Sequence, residues 1–257
     1  MTDHLQSRYI QEERINIDSI PAILFRPKEG EGPLPTIIFY HGWSSRKENQ
    51  RLRAFMLASV GYQVLIPDAL YHGEREPLAN YGIENAGKYF WHVIFNNLEE
   101  STAIIDGLVS KYEADINRIG VIGHSMGGFT AAGIFTHKPG IKALVVLNGS
   151  CYWENSNEFF ARGFNIKESE KVKKLVEKIS KLDPMNNIPL LVDRPILLLH
   201  GEKDSSVSIE SQRLFYDKIE PMYKDKDRIR FVTYPNLDHF VTTNMMEEAI
   251  IWFYRHL

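Results

Sequence analysis

Three side chains of this sequence have the chemistry of a covalent acyl-transfer centre, provided the fold brings them together. The first is Ser125, in Gly123-His124-Ser125-Met126-Gly127, which fits G-x-S-x-G. A serine hydroxyl is a poor nucleophile at neutral pH. It needs a general base within hydrogen-bond reach, and the base needs an acid that fixes its tautomer and stabilises its charged form. Histidine is the usual base, and the chain has nine. His239 lies between the last expected strand and the C-terminal helix, where it can hang over a sheet edge. His200 closes a strand and is expected to point into the core. His124 is expected to point away from the reacting centre, and His41 to begin a loop near the oxyanion region. His4, His137 and His256 fall in tail or helix-end positions and are expected to be solvated. The chain order Ser, acid, His favours His239 as the base, and Asp204, on the loop after the strand that ends at His200, is the expected acid. Its competitors are Glu202, turned elsewhere, and Asp238, whose adjacency to His239 gives poor geometry. Two backbone amides should hold the oxyanion, that of Met126 after the nucleophile and that of Trp43 in His41-Gly42-Trp43.

These groups need rigid elements to hold them. Ile119–Ile122 reads as a short buried strand, and Phe129, Ala131, Ala132, Ile134 and Phe135 are spaced as a packed helix requires, so Ser125 occupies a strand–turn–helix. On so sharp a turn a side chain at 123 or 127 would collide with the neighbouring strand or helix, and glycine avoids this. The helix N-terminus beyond it favours developing negative charge.

The same alternation runs through the chain. Residues 8–26 form a hairpin turning at Asp18-Ser19, and 26–33 a loop. Strands are expected at 36–40, 62–68, 141–148, 195–200 and 228–234. Helices are expected at 48–60, with Leu52, Phe55, Met56 and Ala58 or Ser59 on its inner side, and at 97–112, 209–219 and 244–257. Met245, Ala249, Ile250, Phe253 and Leu257 face inward on the last. Residues 78–95, rich in aromatics without a clean period, read as a loop with short helical pieces. The pattern predicts an α/β fold, a doubly wound and mostly parallel sheet with an N-terminal antiparallel hairpin. Such sheets carry their sites at the carboxyl ends of the strands. Four expected ends bear suitable groups, at 41–43, 123–127, 201–207 and 236–240.

Between 151 and 190 the alternation pauses. An aromatic patch (Tyr152, Trp153, Phe159, Phe160, Phe164) precedes an amphipathic helix with Val172, Leu175, Val176, Ile179 and Leu182 on one face. The segment is expected to be a small helical, lid-like insertion in a single domain spanning 1–257; a crossover helix with a long lead-in is the plainer alternative. His72-Gly73-Glu74-Arg75 has two readings: Arg75 holding a substrate carboxylate with His72 lining the pocket, or a charged loop pinned by internal ion pairs. Cys151 reads as a buried, inert thiol. The aromatics at 89–95 and 152–164 fit an apolar acyl pocket and core packing equally.

Composition narrows the function classes. The chain has 257 residues, 44% of them apolar, enough for one sizeable core. A net charge of −3 and a pI near 6.3 give no footprint for nucleic acid. No apolar run approaches a membrane span, and the polar N-terminus lacks the apolar core of a signal peptide, which predicts a soluble cytoplasmic protein without membrane partners. The single cysteine excludes an internal disulfide. No Cys/His cluster has metal-ligand spacing and no phosphate loop is present, so no metal or cofactor is expected.

His41-Gly42, Gly123-His-Ser-Met-Gly-Gly128, His200-Gly-Glu-Lys-Asp204 and Asp238-His239 together resemble the α/β-hydrolases, specifically compact single-domain esterases related to prolyl oligopeptidase and dienelactone hydrolase. Asp68 with His72–Arg75 is similar to the loop after the fourth strand in bacterial members of that group. The likeness covers nearly the whole chain, least well 76–96 and 151–190. The sequence departs from the large oligopeptidases in having no room for a propeller, and from dienelactone hydrolases in using serine in place of cysteine. The expected activity is a serine carboxylic-ester hydrolase acting on small, short-acyl esters. Amide or short-peptide hydrolysis and acyl transfer on the same triad are the alternatives, with a non-catalytic ligand-binding protein as the reading from another class.

Overall fold

Runs of Val, Ile, Leu and Phe build the centre of the molecule, because a parallel strand covered on both faces favours apolar side chains. The computed structural model describes residues 7–29, 32–164 and 169–257, without the side chains of 162–164. His4, the Phe164 ring, and parts of the 26–33 loop and of the 151–190 segment therefore lie outside the described residues. Strands β1 (Ile10–Ile17) and β2 (Ile20–Pro27) pair as an antiparallel hairpin. Asp18 takes the turn with a φ of 53°, a conformation that Asp tolerates better than most residues. The remaining strands are β3 (Leu34–Tyr40), β4 (Gln63–Pro67), β5 (Ala114–His124), β6 (Ala143–Leu147), β7 (Ile196–Gly201) and β8 (Ile229–Tyr234). The sheet order is β1-β2-β4-β3-β5-β6-β7-β8, parallel from β4 onward and antiparallel at β1-β2-β4. Every residue of β4, β6 and β7 is buried.

Helices cover both faces. On one, α2 (Ile83–Tyr112), α3 (Met126–His137) and α6 (Ile209–Ile219) pack Ile104, Leu108, Ile134, Phe135 and Phe215 onto the sheet. On the other, α1 (Arg51–Ala58) and α7 (Thr243–His256) contribute Ala54, Leu57, Met245, Ala249 and Phe253. A third cluster lies beside the carboxyl ends of the strands, where α2 and α3 meet α4 (Trp153–Phe164) and α5 (Glu170–Leu182) through Trp91, Phe129, Trp153 and Ile179. Among the described residues no helix is long and apolar enough to cross a membrane.

Several expectations need correction. Residues 83–95 are the first turns of the 30-residue α2, not a loop with helical pieces. Phe90 packs on Phe129 and Phe160, Trp91 on Trp153, and Ile104 and Leu108 on the sheet. With partners on several sides the helix shows no single apolar stripe, and the periodicity is lost. Helix α1 buries Ala54, Leu57 and Ala58, whereas Leu52 is 65% exposed. A short 3-10 turn at Lys47–Gln50 leads into it and shifts its inward face. His137 and His256 are not simply solvated: the first donates from Nε2 to the Leu182 carbonyl at 3.0 Å, and the second packs on Trp252.

Candidate active site

The turn between β5 and α3 holds Ser125 at φ 56° and ψ −123°, a region that costs a side-chain-bearing residue free energy and persists only where the surroundings enforce it. Two glycines permit the turn. A Cβ at Gly123 would lie 1.9 Å from the Gly127 carbonyl oxygen, and one at Gly127 would lie 2.0 Å from that of Tyr40 in β3. The Ser125 amide donates to Leu147 at the end of β6, and its carbonyl accepts from Gly128 and Phe129. The hydroxyl is thereby fixed above the carboxyl end of the sheet at the start of α3.

Asp204 and His239 come from neighbouring loops, after β7 and β8. His239 Nδ1 donates to the Asp204 carboxylate at 2.8 and 2.9 Å, which leaves Nε2 as the basic nitrogen. Oδ1 of Asp204 also accepts from the Ser206 and Val207 amides, and Oδ2 lies 3.2 Å from His200 Nε2. Burial alone would raise this carboxyl, but donation from His200, His239 and Val207 outweighs it and holds Asp204 well below the usual carboxylate range.

The two loops are sewn together. Lys203 donates its amide to Leu237, and Ser205 donates its amide and its hydroxyl to Asp238. Asn148, after β6, accepts from the Gly201 amide at 3.0 Å and donates to the Phe240 carbonyl at 3.0 Å. Glu202 turns away to Thr233. Among the described residues no hydrogen bond joins Ser125 to His239; such bonds are often long in free enzymes and tighten with substrate.

Across the site, His41 locks the loop after β3. Nδ1 donates to the Gly42 carbonyl at 2.9 Å and Nε2 accepts from the Ala69 amide at 3.0 Å, so one neutral tautomer satisfies both. No described group accepts from the Trp43 or Met126 amide. Beside Ser125 is a cavity of about 210 Å³ walled by Trp43, Ala86, Gly87, Phe90 and Trp91 on one side and by Asn157, Phe160, Ala161 and Leu175 on the other; Ser206 and Val207 complete it.

Comparison with known proteins agrees with this geometry. Residues 49–255 match the Prolyl oligopeptidase family. The chain belongs to that family. Its relatives include "Putative esterase YitV" of Bacillus subtilis, 32% identical over 96% of this chain and all of that protein. "Esterase YjfP" of Escherichia coli is 26% identical, again over 96% of this chain and all of the relative. Among solved structures, TT1662 from Thermus thermophilus superposes with a TM-score of 0.73 at 18% identity, over 96% of this chain and 97% of that one. The fold is that of the α/β-hydrolases, and the chain is a serine hydrolase.

Within the prolyl oligopeptidase family frame, the loop 68–75 has a structural part. Asp68 accepts from the Lys47 amide and ammonium and from the Glu74 amide, and Glu74 also pairs with Lys47 and Arg14. Arg75 is committed to Glu100 and to the Asp68 carbonyl, so it offers no free guanidinium to a substrate carboxylate. His72 is fully buried and packs on His41, Trp43 and Tyr81. Cys151 is buried, and burial pushes its thiol well up. Among the described residues no group of three or more His, Cys, Asp and Glu is placed to hold a metal ion.

Two residues at the site went unrecognised in the sequence. His200 was expected to point into the core; it is buried there, but its Nε2 also reaches Asp204. His124 was expected to point away from the centre; its ring instead packs on that of His239, centroids 4.9 Å apart. Burial, followed by the neighbouring His239 and Arg53, pushes its pKa down to about 3. The four-residue spacing from His200 to Asp204 across a strand end was a signal in the sequence for the first. For the second there was none, because the side-chain direction depends on the strained turn.

Proposed function

We propose that the chain is a serine carboxylic-ester hydrolase for small, uncharged esters. Ser125 attacks the acyl carbonyl, and His239 Nε2 takes its proton and returns it to the leaving alcohol. Asp204 holds the His239 tautomer and stabilises its charged form, while the Trp43 and Met126 amides receive the oxyanion. Water then clears the acyl-enzyme through the same base. The observation that carries this reading is the His239–Asp204 contact at 2.8 Å, on a carboxylate already anchored by two amides and an imidazole. The names of two full-length relatives are in keeping with an esterase.

The reading extends to the insertion. Phe160 of α4 and Leu175 of α5 line the cavity beside Ser125, which supports a roof formed by the 151–190 segment of a single domain. Ester selectivity over aminoacyl amides is favoured by the lining, in which none of the described side chains is charged. An α-ammonium bound there would lose its hydration without a counter-charge.

Turnover of p-nitrophenyl acetate by the wild type and Ser125→Ala tests the mechanism. Loss of all measurable turnover in the variant, together with loss of labelling by a fluorophosphonate, is expected. Equal turnover by both proteins would overturn it. Turnover of aminoacyl p-nitroanilides at a rate matching the esters would favour the peptidase alternative.

A further inference from the structure

The esterase reading leaves open which half of the ester the cavity takes and what shape it selects. A leaving alcohol must collect its proton from His239, so it lies on the side of that ring. The cavity lining includes Ser125 and Trp43 but not His239. The cavity is therefore on the acyl side of the scissile bond.

Its size and walls then limit the acyl group. An apolar cavity of about 150 Å³ is enough for benzene in an engineered protein core, and here about 210 Å³ is available, room for a ring and one or two more heavy atoms. Trp43, Phe90, Trp91 and Phe160 give the walls four aromatic rings, beside the aliphatic Leu175 and Val207. Phe90 stands edge-on to Trp91 at 90° and to Phe160 at 74°, and tilts against Trp43 at 58°, edge-to-face and tilted geometries of the kind aromatic rings prefer. The wall is also braced. Trp91 Nε1 donates to Asn157 Oδ1 at 2.8 Å, tying α2 to α4 across the cavity. That bond opposes separation of the two helices and so disfavours widening of the pocket around a long flexible chain.

We propose that the cavity is an acyl pocket for a compact, uncharged aryl-acyl group such as benzoyl or phenylacetyl, with Ala86 and Ala161 setting its depth. The proposal rests on the esterase reading and names the substrate class for the same site. Both alanines line the cavity, so a larger side chain at either would take up part of it.

Steady-state kinetics with p-nitrophenyl acetate, hexanoate, phenylacetate and decanoate tests it, on the wild type and on Ala161→Phe and Ala86→Leu. The expected kcat/KM for phenylacetate exceeds that for hexanoate about tenfold and that for decanoate about a hundredfold. In each variant the ratio of phenylacetate to acetate should fall at least tenfold. Cleavage of acetate with phenylacetate, hexanoate and decanoate turned over alike would overturn the pocket assignment and leave the esterase reading intact. An unchanged phenylacetate-to-acetate ratio in both variants, with native circular dichroism, would do the same. Failure of the wild type to cleave any of the four would overturn both.

Discussion

His200 and Asp204, four residues apart across the end of β7, bring their side chains together in a fully buried contact of 3.2 Å. His200 Nε2 faces two oxygens, the Asp204 carboxylate and the Val207 carbonyl at 3.0 Å, so that nitrogen carries the proton. The acid of the proposed relay is thus held from behind before any substrate arrives. In that proposed relay His200 is a positioning residue. A hydrogen bond to a charged group is worth about 1.5–3 kcal/mol, so His200→Leu should lower kcat roughly ten- to hundredfold with little change in KM. His200→Asn, which keeps a donor, should recover part of the loss.

The elbow glycines give a sharper test of the fold. Gly123→Ala places a Cβ 1.9 Å from a backbone oxygen. Backbone must move, and the expected cost is above about 4 kcal/mol, among the largest for a point substitution. At 2–4 °C per kcal/mol for a chain of this size, Tm should fall by roughly 8–16 °C or more. Gly140→Ala meets nothing within 4 Å and should stay within about 0.5 kcal/mol of wild type in the same melt.

The buried pair Lys47–Asp68 predicts a stability effect that reaches the site. Burial works against the Lys47 ammonium, but hydrogen bonds to Asp68 and Glu74 outweigh it and raise its pKa. Lys47→Met removes the cation and leaves the Asp68 carboxylate buried beside Glu74. The expected destabilisation is about 3–5 kcal/mol, read by urea denaturation. The Trp43 amide, the proposed oxyanion donor, lies on the loop that leads into Lys47, so kcat should fall in the folded variant.

Acid should loosen the molecule through His72. Burial, then the nearby His41, lowers its pKa to about 4. The unfolded chain takes up a proton near its ordinary pKa of 6.5 and the folded chain resists until about 4. The resulting stability is present above pH 6.5 and lost as the pH falls toward 4, by about 3 kcal/mol. His72→Phe, which keeps the ring packing on Trp43 and Tyr81, should reduce the slope of unfolding free energy against pH in that window. An unchanged slope would show that His72 does not carry it.

The sequence disclosed what depends on local rules. Buried parallel strands read as unbroken apolar runs, and the glycines flanking Ser125 read as close approaches; both are properties of a few adjacent residues. Asp204 and His239 were legible because the strand ends converge whatever their loops do. Relationships set by direction in three dimensions were not. His124 faces His239 beside the strained turn at Ser125, which follows β5 with a positive φ, and Leu52 faces solvent because a 3-10 turn rotates α1. The first turns of α2 were hidden because their aromatics serve three partners at once.

Helix α2 carries one further consequence. At 30 residues it is about 45 Å long. Its first turns supply Ala86, Phe90 and Trp91 to the cavity, while Gly107 near its far end lies so close to Ile17 of the hairpin that a Cβ there would come within 2.6 Å. On the proposed acyl-pocket reading, taste and anchorage are written on separate stretches of a single rod. Substitutions in its opening turns should then retune which acids are accepted while the distant end keeps the scaffold in register.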